Sequence, residues 1–97
     1  MKAAPNAAII LHEKDNVATA LRPLKSGELL RLLGRKGDIS IVPNGSIPTG
    51  HKIALTSIRR NGHVIKYGEV IGNASIYIRK GSHVHVHNLR GRGDLNR

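Results

Sequence analysis

Apolar residues along this chain fall in short runs, interrupted every few positions by Gly, Pro, Asn or a charged side chain. The β-leaning runs are Ala8 to His12, Val17 to Leu21, Asp38 to Val42, Lys52 to Leu55, Val64 to Lys66, Ala74 to Ile78 and Val84 to His87. Helical spacing is scarce. It is confined to Ser26 to Leu33, where Leu29, Leu30, Leu32 and Leu33 could line one side, and to Thr56 to Arg60, which predicts one or two short helical turns. The pattern predicts a mainly β domain of short strands and tight turns.

A degenerate echo supports that reading. Leu24 to Leu29 (LKSGEL), Ile47 to Lys52 (IPTGHK), Ile58 to Val64 (IRRNGHV) and Ile78 to Val84 (IRKGSHV) each run from an apolar residue through a polar turn and a glycine into an extended segment. Glycine at such a turn permits positive φ. The echo is too weak for a solenoid and predicts one turn type reused in a hairpin-rich fold. Residues 1–7 are then an N-terminal extension and 8–89 the domain. Residues 90–97, rich in Arg and Gly, form a flexible basic tail or linker.

Composition narrows the chemistry. Ninety-seven residues with 39% apolar content and no Phe or Trp leave a modest core of Ile, Leu, Val and Ala. The absence of cysteine removes disulfides, thiolate ligands and thiol nucleophiles, so any metal must rest on His and carboxylate. A formal charge of +10 points to an anionic partner: nucleic acid, an acidic protein surface or a carboxylate substrate. Nucleic acid is disfavoured, because Tyr67 and Tyr77 are the only aromatic rings of the Phe, Tyr and Trp class and the basic residues are scattered. The apolar run Ala7 to Leu11 is stopped by His12, Glu13 and Lys14, and no stretch reaches a membrane span. No membrane partner and a cytoplasmic location are expected.

The most informative string is HVHVHN at 83–88. On an extended strand His83, His85 and His87 share one face at a spacing of about 7 Å, so they could ligate an ion with help from other segments, or handle protons. Two of the three make a more natural pair than all three together. The plainer alternative is an amphipathic strand with Val84 and Val86 buried and the imidazoles in water. Asp15 and Asn16 are turn formers by default and polar site residues by alternative. His51 and Lys52, after Gly50, should face opposite sides of a strand. Lys66, Tyr67 and Glu69 crowd a Gly-bounded turn at Gly68 and Gly72. Converging with the histidines, these groups would bind a carboxylate and move a proton beside it. Nothing matches a Ser/His/Asp triad or a phosphate-binding loop, which excludes acyl and phosphoryl transfer.

The segments DNVATAL at 15–21, IPTGHKIAL at 47–55 and VIKYGEVIGNASIYIRKGSHVHVHNL at 64–89 closely resemble the amino-terminal SAF domain of the altronate and galactarate dehydratase family. The resemblance implies a β-clip fold and a part in metal-assisted β-elimination of water from a sugar acid, giving a 2-keto-3-deoxy acid. It implies a large catalytic subunit as partner, a sugar-acid carboxylate as substrate, and iron(II) as cofactor, with manganese or magnesium as alternatives. A homo-oligomer is also compatible with it. By the same analogy His85 and His87 serve the metal or the proton, and Lys66 and Tyr67 substrate positioning or proton transfer. His51, Lys52, Asp15, Asn16 and Asn88 fall on the substrate side. The same architecture serves sulfolactate sulfo-lyase and non-catalytic sugar-acid-binding or docking modules, which stand as alternatives.

Overall fold

The computed structural model describes residues 7–34 and 37–91, and all regular structure in them is β. The strands are β1 (Ala8–Ile9), β2 (Val17–Ala20), β3 (Leu30–Leu32), β4 (Ile39–Ile41), β5 (Lys52–Ala54), β6 (His63–Lys66), β7 (Glu69–Ala74), β8 (His83–Val84) and β9 (Leu89–Gly91). They form a central antiparallel sheet in the order β1-β2-β5-β8, a β3-β4 ribbon and a β6-β7-β9 sheet. Among the described residues no helix is long and apolar enough to cross a membrane.

The helical windows read from the sequence are strand and turn instead. Leu30 and Leu32 are buried while Leu29 and Leu33 are exposed, a period of two, and Leu30 pairs with Ile41 and Leu32 with Ile39. Arg31 adds a salt bridge to Asp38, Nη2 to Oδ2 at 2.7 Å, beside that ribbon. The segment 56–60 leads into a turn rather than a helix.

The middle strands of the central sheet, β2 and β5, are buried on both faces. Along β2, Val17 enters one apolar cluster and Ala18 and Ala20 another; along β5, Ala54 joins the first and Ile53 the second. The Ile53 face is covered by Leu30, Leu32 and Ile41 of the ribbon, the Ala54 face by Val64 and Ala74 of the outer sheet. Double-sided burial removes the polar/apolar alternation that usually marks a strand, which is why Val17-Ala18 and Ile53-Ala54 are apolar at consecutive positions. Each fully buried Leu or Ile here contributes roughly 1.5–3 kcal/mol.

The echoed turns are one device used four times. Gly27, Gly50, Asn61 and Gly81 all have positive φ, at 85°, 83°, 68° and 87°. Each is the third residue of a turn closed by a backbone hydrogen bond, donated by Glu28 to Lys25, His51 to Pro48, Gly62 to Arg59 and Ser82 to Arg79. Positive φ at that position is the signature of a type II turn. In the third turn Asn61, not Gly62, takes the left-handed position. The opening apolar residues pair across turns, Leu24 with Ile47 and Ile58 with Ile78.

Three of the turns are then clasped to a buried alanine. The Gly50 N–H donates to Ala20 O and the Ala20 N–H to His51 O, both at 2.8 Å. Gly81 and Ser82 clasp Ala54 in the same way, and Asn61 and Gly62 clasp Ala74. Two residues face one, as in a glycine bulge. At the first turn Gly27 N–H donates to Pro43 O, and proline has no N–H to return.

At the C-terminus, Arg90 and Gly91 complete β9, which pairs with β7 rather than starting a tail. At the other end Ala7, assigned from the sequence to the extension, is buried and its carbonyl accepts from Leu21 N–H at 2.8 Å. The rest of the expected extension and tail, 1–6 and 92–97, lies outside the described residues.

Candidate functional site

Two clasped turns aim histidines at one another. The turn at 48–51 launches β5 and the turn at 79–82 launches β8; these strands pair Ile53 with His83 and Lys52 with Val84. Directly opposed residues share a face, so His83 lies on the Ile53 side of the sheet, as does His51 two residues before Ile53. The same register carried one step further sets His51 opposite His85. Their rings stack with centroids 3.7 Å apart, and His51 Nδ1 lies 2.8 Å from His83 Nε2, a hydrogen bond in which one of the two nitrogens carries the proton.

His51, His83 and His85 each present a ring nitrogen within 4.8 Å of the other two. His87 falls outside this set. The chain leaves the strand after Val84, because Asn88 and Leu89 both donate backbone N–H bonds to His85 O and fold residues 85–88 into a turn. Strict alternation therefore ends before His87, whose exposed ring stands 5.0 Å from His83 at a tilt of 46°. Val86, expected on a buried face in the amphipathic reading, is 82% exposed.

The donor set suits a divalent ion. His85 Nδ1 is buried without a hydrogen-bond partner, a costly state that an ion would relieve. Ligation needs neutral imidazoles, and desolvation holds both His83 and His85 below the ordinary imidazole value of 6.5. For His83 the neighbouring His87, His51 and His85 add to the effect, and for His85 the neighbours are His51, Lys52 and His87. With metal–nitrogen bonds of about 2.1 Å, three nitrogens this close need only small ring rotations to share one ion.

These shifts set an acid sensitivity. Below pH 6.5 the unfolded chain takes up protons at His83 and His85 before the folded chain does, so stability falls as pH drops and levels off once the folded groups also titrate. Thermal melts between pH 7.5 and 4.5 should show that decline, and the double variant His83→Gln/His85→Gln should show a smaller one. An unchanged decline would assign the acid sensitivity to other groups.

The remaining sequence candidates divide into framework and rim. Asp15 is buried, and its carboxylate accepts the Gly68 N–H at 2.8 Å and the Tyr67 N–H at 3.2 Å. Those two residues are the loop of the β6-β7 hairpin, and both have positive φ, 58° at Tyr67 and 73° at Gly68. A tyrosine is strained there, and Asp15 holds the turn that strains it. Asn16 bridges to β6, donating from Nδ2 to His63 O at 2.9 Å and accepting at Oδ1 from Ile65 N–H at 2.8 Å. Asn88 is 4% exposed, and its side chain bonds to the main chain of the histidine segment. All three carry backbone bonds that a substrate would have to displace.

Lys52, adjacent to His51 on β5, takes the other face of the sheet. Burial pushes its ammonium below the ordinary lysine value, and the charge of Lys66 pushes the same way. Lys66 lies 5.1 Å over the Tyr67 ring, and the phenol is exposed. No hydrogen bond or ring contact links either residue to the histidines. Sequence reasoning placed His51 on the substrate side, whereas the structure sets its ring nitrogens among those of His83 and His85. The echo marks both turns but not the strands they feed: the pairing of β5 with β8 brings His51 to His83 and His85, whereas His63, at the matching place after the third turn, lies in the outer sheet.

Residues 6–92 match the family described as Altronate/galactarate dehydratase SAF domain. Altronate dehydratase of Bacillus subtilis (strain 168) is 46% identical over 82 residues, 84% of this chain and 16% of that protein. Galactarate dehydratase (L-threo-forming) of Escherichia coli (strain K12) is 40% identical over 76 residues, 76% of this chain and 13% of that protein. The alpha subunit of (2R)-sulfolactate sulfo-lyase from Chromohalobacter salexigens is 29% identical over 85 residues, covering 84% of this chain and 90% of the subunit. The chain thus spans about a sixth of the dehydratases it matches and nearly the whole of a lyase subunit.

Proposed function

Because the chain belongs to the altronate/galactarate dehydratase SAF-domain family, we propose that it is the small subunit or amino-terminal domain of a sugar-acid dehydratase, contributing ligands to a metal-assisted elimination of water. The observation that carries this reading is the meeting of His51, His83 and His85 at the ends of two clasped turns, all inside the matched span.

In the proposed reaction the C2 proton of a 2,3-dihydroxy acid is removed and its electron pair forms the C2=C3 bond. The C3 hydroxyl leaves with a proton as water, and the resulting enol becomes the 2-keto-3-deoxy acid. Negative charge grows on the carboxylate oxygens. A bound divalent ion, iron(II) by family analogy, would act there as a Lewis acid. His51, His83 and His85 would hold it. His87, exposed beside His83, is placed to exchange a proton with solvent or substrate. Lys52 adds positive potential that reaches both His83 and His85.

The site as it stands is a rim rather than an enclosed pocket, with Val86 and His87 exposed at its tip. A larger polypeptide would close it and exclude water. The paired turns at Ile58 and Ile78 carry Arg59, Arg60, Arg79 and Lys80, all exposed, whereas the ion pairs among the described residues are Arg22–Glu28 and Arg31–Asp38. Their charge suits an acidic surface on that polypeptide. A second reading, the alpha subunit of a sulfolactate sulfo-lyase, is favoured by the 90% coverage of that subunit.

The test is turnover of altronate, galactarate and sulfolactate with iron(II) under reducing conditions, for the chain alone and together with the large catalytic polypeptide of a dehydratase of this family. Dehydration of a sugar acid only in the mixture is the expected result. Sulfite release from sulfolactate would select the second reading. Stable association without turnover of any of the three would reduce the domain to a docking module.

A further inference from the structure

We propose that Asn88 is the positioning residue of the histidine cluster, a role that rests on the ion-binding reading of that cluster only for its consequence, not for its geometry. β8 is an edge strand, paired with β5 on one side only. Val84 is matched to Lys52 on the paired side, so the carbonyl of His83 and the N–H of His85 point outward, where no strand follows. The Asn88 carboxamide fills that place. Its Nδ2 donates to His83 O at 2.8 Å and its Oδ1 accepts from His85 N–H at 2.9 Å, so one side chain imitates the missing strand.

The backbone of Asn88 fastens the clamp at both ends. Its N–H donates to His85 O at 3.0 Å, and its carbonyl accepts from Ser75 N–H at 2.9 Å, just past the end of β7. Asn88 is 4% exposed, and both polar ends of its side chain are engaged. It therefore acts through His83 and His85 and fixes the backbone from which their rings project. Without it, the turn at 85–88 loses its side-chain hydrogen bond to β8, and the ring nitrogens lose the spacing that lets them converge.

The experiment compares wild type with Asn88→Ala and Asn88→Asp in the full chain. The readouts are backbone amide spectra, ring-nitrogen NMR shifts of the histidines, and Co²⁺ titration followed by visible absorption. The Asn88→Ala variant should keep the amide pattern of the central sheet. Its His51 and His83 ring shifts should move from the values of a locked hydrogen-bonded pair toward those of averaged tautomers, and Co²⁺ affinity should fall about tenfold to a hundredfold. Asn88→Asp keeps the acceptor for the His85 N–H and gives up the donor to His83. It should leave His85 stacked on His51 and free His83 alone.

Unchanged ring shifts in a folded Asn88→Ala variant would overturn the proposal. So would global unfolding of both variants, which would assign Asn88 to the fold instead. If wild type takes up no Co²⁺ while the ring shifts still respond to the substitutions, the ion-binding reading fails and the positioning role stands.

Discussion

Gly81→Ala should destabilise the domain by about 2–5 kcal/mol in urea unfolding, and Gly50→Ala by only about 1–2 kcal/mol, although the two glycines occupy the same position of the same turn. Both have φ near +85°, so both variants carry the strain of an L residue in the left-handed region. The difference is space. A Cβ on Gly50 meets nothing within 4 Å, while one on Gly81 would sit 2.5 Å from Val42 O, a backbone atom that is hard to move. The packing there is tied in further by the Asn44 N–H bond to Gly81 O at 3.1 Å. Because this turn leads into His83, the Gly81 variant should also disturb the cluster. Equal losses at the two positions would show that the close approach to Val42 is relieved without cost.

The second large effect concerns ion affinity. His51→Ala, His83→Ala and His85→Ala should each weaken Co²⁺ binding by at least about a hundredfold, equivalent to about 2.7 kcal/mol, above the range expected when a residue merely supports a ligand. His87→Ala should change it by no more than about threefold, because that ring lies outside the converging set. The contrast is sharp because the family resemblance pairs His85 with His87. Equal losses for His51→Ala and His87→Ala would mean that the ion draws His87 inward and that the ion-free arrangement is not the binding one. In every case affinity should fall in acid, where protons compete for the same nitrogens, and the lowered values at His83 and His85 extend useful binding to lower pH.

The fold class was legible because glycine and asparagine punctuate the chain so regularly. Most of the expected runs contain a strand or a bridge, and the four echoed segments are four turns of one type. Three elements were not legible, each for a physical reason. The four leucines at 29–33 fit a helical stripe as well as a ribbon, and only the pairing partners Ile39 and Ile41 decide between them. β7 runs through Gly72 with few β-branched residues, so its strand character comes from being held between β6 and β9. β9 begins a segment of Arg and Gly with no apolar pattern, and its order is conferred by β7.

The site was half legible. The histidine string announced itself, but its geometry depends on where β8 ends, and that is set by Asn88 and two backbone bonds. Polarity could not separate Asp15 and Asn16, which brace the β6-β7 hairpin and its edge, from residues free to meet a ligand.

β8 comprises two residues at the margin of its sheet, joined to the rest by two register pairs, one carboxamide and the buried Val84 side chain. Local opening at such a margin requires far less free energy than global unfolding. Opening there would part the histidines while leaving β2 paired with β5. Assembly of the site becomes an equilibrium of its own, one that an ion, a substrate or a covering polypeptide can draw to completion by binding the closed arrangement.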